Sequence, residues 1–305
     1  MSYMTTKEAS VLWGVSERMV RMYCAEGRIP SAVQQEENWY IPQGAEKPKR
    51  KPKTKEPKVE LSPLVKRIIY QRSKNNHYGI YEYIQVNLAY SSNRMASNRL
   101  TRNEVEEVYR TNKISTSFEP VKVDDIIETI NHFSAVCYVI DNIASPLTQA
   151  FIKKVHSLLT YGTYADRKAR LHSGEYRTTK SALGVQPQKI ADAMNVLIKD
   201  YEKQPVKLEE ILEFHAELEH IHPFEDYNGR VGRIIMLKEC LRHDVSPFII
   251  DDKHRSDYNR GIREWKTNTA RLLAVALRGQ ERLQNQRALC DIMEYSRPAT
   301  GRGAR

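Results

Sequence analysis

HIHPFEDYNGRVGR, residues 220–233, lies between two helical patterns, and the rest of the chain is read outward from it. Apolar residues at helical spacing predict a helix over 207–221, and Ile234, Leu237 and Leu241 share one face of a second helix beyond the stretch. Pro223 stops the first helix and leaves His222 on the connecting loop, facing a ligand, while Phe224 anchors the loop in the core. An imidazole so placed can act as a base near neutral pH. Asn228 and Gly229 introduce the second helix, whose unpaired first amides and positive dipole end attract an anion, and Arg230 and Arg233 stand one turn apart beside them. Asp226 supplies a hard oxygen ligand of the kind that binds magnesium together with substrate phosphates. These parts together point to a nucleoside triphosphate with Mg2+.

From Val59 onward the period is mostly helical. Leu61, Leu64, Ile68 and Ile69, then Ile126, Ile127, Ile130 and Phe133, then Leu208, Ile211, Leu212 and Leu218 recur at three- and four-residue steps. The expected fold class is therefore mainly α, an all-α domain over 59–290 followed by a flexible tail at 291–305. Residues 176–185, YRTTKSALGV, interrupt the period; short, polar and bounded by Gly174 and Pro187, they suit a small β-hairpin flap. His215, Glu219, His220 and His222 cluster within eight residues, but His215 and His220 are five apart, not the i, i+4 spacing that aligns two zinc ligands on a helix face. Packing and capping account for them better than a metal.

With 305 residues, the chain is long enough for about two domains, each with a core. Its mean hydropathy of −0.62 and the lack of a long uncharged apolar run argue against a membrane span. The opening MSYMTTKEAS has neither the apolar core of a secretory signal nor a transit-peptide bias, so a cytoplasmic location is expected. Cys24, Cys137, Cys240 and Cys290 are widely spaced, which suits reduced structural thiols. A formal net charge of +10 favours a polyanionic partner.

Part of that charge sits in residues 43–58, QGAEKPKRKPKTKEPK, a linker in which lysine and proline alternate. In polyproline II it would span roughly 50 Å at about 3.1 Å per residue. Ahead of it, over 1–42, Thr5 and Glu8 form a capping box, Gly14 permits a tight turn, Ser16 caps a second helix ending near Gly27, and two short strands flank a polar tip at 34–38. KEASVLWGVSERMVRMYCAEGRIP, closed by WYIP, resembles the winged helix-turn-helix of MerR and excisionase-like proteins. The resemblance implies double-stranded DNA as a partner, with Ser16, Arg18 and Arg21 on the contacting face; a protein-docking module is the competing reading.

Residues 222–233 resemble the motif of the Fic family, His-Pro-Phe-x-Asp/Glu-Gly-Asn-Gly/Lys-Arg-x-x-Arg, and match every specified position except Tyr227. GEYRTTKSALGV upstream and PFIIDDKHRSDYNRGIREW downstream extend the likeness over roughly 59–285. The resemblance implies a protein adenylyltransferase that moves AMP from ATP to a Ser, Thr or Tyr hydroxyl of a target protein, with self-modification as a side reaction. It assigns His222 as the base, Asp226 to magnesium, and Asn228, Gly229, Arg230 and Arg233 to the phosphates. Tyr258 takes a position that lines the adenine pocket. Thr178, Thr179, Lys180, Ser181, Ala182 and Leu183 match the flap that pairs with an extended target segment. A homodimer is compatible with all of this.

Two positions depart from the family. Tyr227 replaces a glycine: a turn needing positive φ would resist tyrosine, whereas an ordinary helical entry would accept it with the ring turned to solvent. Many relatives also carry Ser/Thr-x-x-x-Glu-Gly/Asn, whose glutamate pairs with the last motif arginine and blocks productive ATP binding. Near 80–98 this chain reads SSNRMASNRLT: Ser92 and Asn98 fit, but Ala96 stands where the glutamate would be. The expectation is an enzyme released from autoinhibition, with Arg233 free for the γ-phosphate. The alternative is a DNA-binding transcriptional regulator whose Fic domain binds nucleotide without efficient catalysis because of Tyr227.

Overall fold

The computed structural model describes residues 2–295 except 26, 36–37, 49–60, 75–77, 116–119, 169 and 183. Most of the linker, two residues of the polar tip, Leu183 of the flap and the tail from 296 onward lie outside the described residues. The chain divides into two compact units, Met1–Lys58 and Val59–Arg305.

In the first unit, β1 (Tyr3–Thr5) leads into α1 (Thr6–Trp13), α2 (Glu17–Ala25), β2 (Val33–Gln35) and β3 (Asn38–Pro42). The Thr5 hydroxyl accepts from the Glu8 amide at 3.2 Å and the Glu8 carboxylate accepts from the Thr5 amide at 2.8 Å, so two donors that α1 cannot satisfy are closed reciprocally. Gly14, at φ 61, ends α1 in the left-handed region. Ser16 Oγ accepts from Met19 N–H at 3.3 Å and starts α2. The antiparallel sheet has the order β1-β3-β2. β1 was not foreseen: its register Met4↔Ile41 puts both side chains in the core with Ala9, Trp13, Val20 and Tyr23. Three residues are too few to show an alternating pattern in sequence.

The second unit is helical: α3 (Pro63–Ser73), α4 (Ile80–Arg94), α5 (Arg102–Thr111), α6 (Val123–Asp141), α7 (Gln149–Thr160), α8 (Tyr164–Arg167), α9 (Ile190–Glu202), α10 (Leu208–Ile221), α11 (Asn228–Arg242), α12 (Arg255–Glu264) and α13 (Ala270–Tyr295). The mainly α expectation holds. Two expectations do not. α13 runs to Tyr295, five residues into the segment read as tail. Residues 176–185 contain no strand among those described; the Thr179 and Val185 carbonyls accept from the Arg177 guanidinium, and the Arg177 and Val185 amides donate to the Pro223 and Ile221 carbonyls.

α11 is the centre of this unit. It packs against α4, α6, α7 and α10, and every residue from Val231 to Leu241 is buried. A helix enclosed on all sides has no polar face, so Lys238 and Glu239 pair with each other at 2.6 Å, and the ammonium also donates to the Ser145 carbonyl at 2.8 Å. The main core joins Ile84, Val139, Ile152, Met194, Leu218 and Ile234. A second core seats α12 and α13 on the other side of α10 and α11, through Leu212, Met236, Ile262 and Leu272. This framework fixes the start of α11 and the end of α4 against each other.

Candidate active site

The loop from α10 to α11 is six residues long and pinned at several points. His222 caps α10 in the left-handed region, φ 51 and ψ 62, with its amide donating to the Leu218 carbonyl at 3.0 Å. Phe224 is fully buried and stacks on the His156 ring, centroids 3.9 Å apart and planes 4° off parallel. Burial pushes the His156 imidazole down to about 4, so its neutral Nδ1 accepts from the Gly174 amide at 2.9 Å. Asn228 spends its side-chain amide on the loop: Oδ1 accepts from Phe224 N–H and Nδ2 donates to Phe224 C=O, both at 2.9 Å. Its side chain therefore shapes the turn, which leaves its backbone amide to face a ligand.

Arg177 is the fastening that the sequence did not disclose. Its backbone amide donates to the Pro223 carbonyl at 2.9 Å. Its guanidinium donates to the carbonyls of His222 at 2.7 Å, Thr179 at 2.8 Å, and Val185. Val185 N–H returns to the Ile221 carbonyl at 3.2 Å. Thr178, Thr179, Lys180, Ser181 and Ala182 are exposed beside this anchor. At Gly184, φ +92, an added Cβ would sit 2.5 Å from the Ile221 oxygen and 2.6 Å from His222 Cβ. Gly184→Ala is expected to destabilise the protein by about 1–3 kcal/mol, through both the overpacking and the backbone conformation. A thermal melt indistinguishable from that of the unsubstituted chain would show that this packing carries no energy.

One pocket collects His222, Asp226, Tyr227, Asn228, Gly229, Arg230, Arg233 and Tyr258, together with Ala96 from the turn after α4. The first bond of the entry turn of α11 is Val231 N–H to Tyr227 C=O at 2.9 Å. The amides of Asn228, Gly229 and Arg230 precede it and have no partner within the helix. Glycine at 229 keeps that turn open, since a Cβ there would stand 2.9 Å from Arg233 Nη1. Burial, then the Arg177 charge, hold the His222 imidazole below its ordinary 6.5, against a backbone hydrogen bond at Glu219 and the charge of Asp226. The ring is thus a neutral base at pH 7.

Asp226 lies at the pocket rim with its side chain 66% exposed, and its Oδ1 accepts from the Tyr227 amide at 2.6 Å. Among the described residues no group of three His, Cys, Asp or Glu is assembled for a metal. A single exposed carboxylate beside an anion site nevertheless suits a magnesium ion that takes its remaining ligands from phosphate and water. His215 and His220 are engaged elsewhere, His215 Nε2 with the Tyr258 hydroxyl at 2.5 Å and His220 Nδ1 with the Ala216 carbonyl at 2.7 Å.

Tyr227 required the less favourable of its two expected conformations. Its φ of 68 lies in the left-handed region, which costs a non-glycine residue roughly 1–2 kcal/mol. The ring does not point to solvent: the residue is 5% exposed. Its hydroxyl donates to Glu128 at 2.8 Å, and the Arg230 guanidinium lies 3.3 Å over the ring centroid. Nor is Arg233 free. Nε and Nη2 donate to the hydroxyl and carbonyl of Ser92, at 3.0 and 3.1 Å, and Nη1 reaches the Tyr258 hydroxyl at 3.4 Å. Ser92 thus holds the arginine from the last turn of α4, where the exposed carbonyls attract a cation. Ala96 is exposed, and Ser97 beyond it adopts φ 72, a conformation suited to the Gly/Asn of the motif. Asn98 donates to Glu128 at 3.2 Å.

Tyr258 is buried within the second core and lines the pocket. Arg255 and Asn259, which no pattern in the sequence marks, also line the pocket, as does Glu219, considered above only as a metal ligand. Burial pushes the Glu219 carboxyl up to about 7, which the Arg233 charge partly opposes, and its Oε1 has no hydrogen-bond partner among the described residues. In the first unit, Ser16, just ahead of α2, and Arg18 and Arg21 within it are exposed, with Arg21 reaching Glu17 at 2.7 Å.

Residues 146–240 match the Fic/DOC family. The chain is 30% identical over 98 residues to a protein adenylyltransferase Fic of Aedes aegypti, a match covering 29% of this chain and 19% of the relative. It is 46% identical over 44 residues to a protein adenylyltransferase Fic of Culex quinquefasciatus, covering 14% and 9%. The chain therefore spans about a fifth or less of the length of these curated relatives. In fold it is similar to a Fic domain containing signaling protein from Bacteroides thetaiotaomicron, with a TM-score of 0.59 at 17% identity over 78% of this chain and 99% of the other.

Proposed function

We propose, on the premise that residues 146–240 form a Fic domain, that the chain is a protein adenylyltransferase that transfers AMP from ATP to a hydroxyl side chain of a target protein. The observation that supports this reading most is the single pocket in which His222 and Asp226 meet the unpaired amides and arginines at the start of α11. In the reaction, the target hydroxyl oxygen forms a bond to the α-phosphorus, the bond from that phosphorus to the bridging oxygen breaks, and pyrophosphate leaves. His222 takes the hydroxyl proton. The amides of Asn228, Gly229 and Arg230 and the guanidinium groups of Arg230 and Arg233 hold the phosphates in line. Asp226 would hold magnesium, which neutralises phosphate charge when bound. The target segment lies along residues 178–183. Incubation with ATP labelled at the α- or the γ-phosphate tests this: covalent label from the α position alone is expected, whereas label from the γ position would overturn it.

The absence of a carboxylate at 96 supports release from the family's autoinhibition, with Ser92 as the resting partner of Arg233. For residues 1–42 we propose contact with double-stranded DNA through Ser16, Arg18 and Arg21, supported by the exposure of all three at and within the start of α2. In the full chain, Arg18→Ala with Arg21→Ala is expected to weaken DNA binding and to reduce the slope of log affinity against log salt by about 2. An unchanged slope would favour protein docking. Partial catalytic loss through Tyr227, the regulator reading, finds less support, because the structure accommodates that residue with bonded partners.

A further inference from the structure

We propose that Tyr227 and Glu128 are positioning residues that clamp Arg230 for phosphate; this rests on the adenylyltransferase reading. Tyr227 stands where the Fic motif has glycine, in a backbone conformation that favours glycine, yet it is tied into the site more firmly than a tolerated substitution needs to be. Its hydroxyl donates to Glu128 Oε1 at 2.8 Å, and the same oxygen accepts from Arg230 Nη1 at 2.9 Å. The Cζ of that guanidinium lies over the Tyr227 ring, 3.3 Å from its centroid. The other carboxylate oxygen, Oε2, accepts from Asn98 Nδ2 at 3.2 Å. Glu128 is thereby fixed from three sides, and α6, which carries it, is fixed by its packing against α11.

Arg230 is thus held along one edge and over one face, while Nη2 stands 3.5 Å from Asp226 Oδ1 at the pocket rim. Arg230 and Tyr227 line the pocket and Glu128 does not, so the carboxylate grips the arginine from behind and leaves the ligand side open. An unclamped arginine loses rotamer freedom when phosphate arrives; one already fixed does not, and that difference appears as affinity for phosphate. Asn98 links the clamp to the segment after α4, so the end of α4 and the segment that follows it reach both motif arginines, Arg233 through Ser92 and Arg230 through Glu128.

The test is calorimetric titration of the full chain with Mg-ATP and with adenosine, for the unsubstituted protein, Tyr227→Phe, Glu128→Gln and the double variant. Each single variant is expected to weaken ATP binding about tenfold, the scale of one charge-assisted hydrogen bond. Adenosine, which lacks phosphate, should keep its affinity. The double variant should lose little more than Glu128→Gln alone, because Tyr227 acts through that carboxylate. Unchanged ATP affinity in either single variant, losses that multiply in the double variant, or tighter ATP binding by Glu128→Gln would each overturn the clamp while leaving the parent reading intact. No ATP binding by the unsubstituted chain would overturn both. Tyr227→Phe removes one oxygen and keeps the ring, so it carries the test if the Glu128 variant fails to fold. Tyr227→Gly supplies a further check: although it returns the family's residue, it is expected to weaken ATP binding, and tighter binding would overturn the proposal.

Discussion

His222→Ala is expected to lower AMP transfer by about 10²–10⁴, the usual contribution of a positioned general base, while Mg-ATP binds nearly as well as before. The split follows from the geometry. The ring faces the pocket, but the loop is held by the His222 carbonyl, by Phe224 and by Asn228, none of which needs the imidazole. On the proposed reading, phosphate is held by α11 and its arginines, which the substitution leaves in place. The measurement is label from α-labelled ATP beside a binding isotherm, and transfer at full rate by the alanine variant would remove His222 from the reaction. The pH profile gives a second check. Only the neutral ring accepts a proton, and burial with Arg177 nearby holds its pKa below 6.5. The rate should therefore decline at a lower pH than a solvent-exposed imidazole would dictate. Arg177→Gln removes one of the two causes and should move the decline upward.

Ala96→Glu should reduce labelling from ATP by about 10- to 100-fold, which is what about 1.5–3 kcal/mol of charged hydrogen bonding amounts to. Ala96 and Arg233 line the same pocket, and the turn that carries Ala96 is anchored, with its amide bonded to the Asn93 carbonyl at 2.9 Å and Asn98 N–H to the same oxygen at 3.1 Å. A glutamate there would have a guanidinium to neutralise whose remaining free edge is the one ATP would use. The loss should appear in ATP affinity and be overcome in part by more nucleotide. Ala96→Gln, which keeps the size without the charge, should cost much less. Equal losses in the two variants would assign the effect to bulk and not to charge.

Much of the site was legible because it is local. The ending of α10 at Pro223, the burial of Phe224, the start of α11 at Asn228 and the one-turn spacing of Arg230 and Arg233 all follow from positions within fourteen residues of each other. The capping box at Thr5 and Glu8 and the turn at Gly14 are of the same kind. The flap was misjudged because a polar stretch between glycine and proline reads as a hairpin, yet the Thr179 and Val185 carbonyls are taken by the side chain of Arg177 within the same stretch, without any pattern to mark its role. The conformation of Tyr227 was undecidable between two turns that differ only in a dihedral angle.

What the sequence by itself determined was the helical class, the loop that presents His222, and the point where α11 starts, since spacing and turn chemistry act over a few residues. What tertiary structure alone decided was the state of the two arginines. Arg233 meets Ser92 across 141 residues and Arg230 meets Glu128 across 102. No period or cap links such positions; they become neighbours only when α4, α6 and α11 bury their apolar faces together, and burial is what then obliges each guanidinium to find a partner.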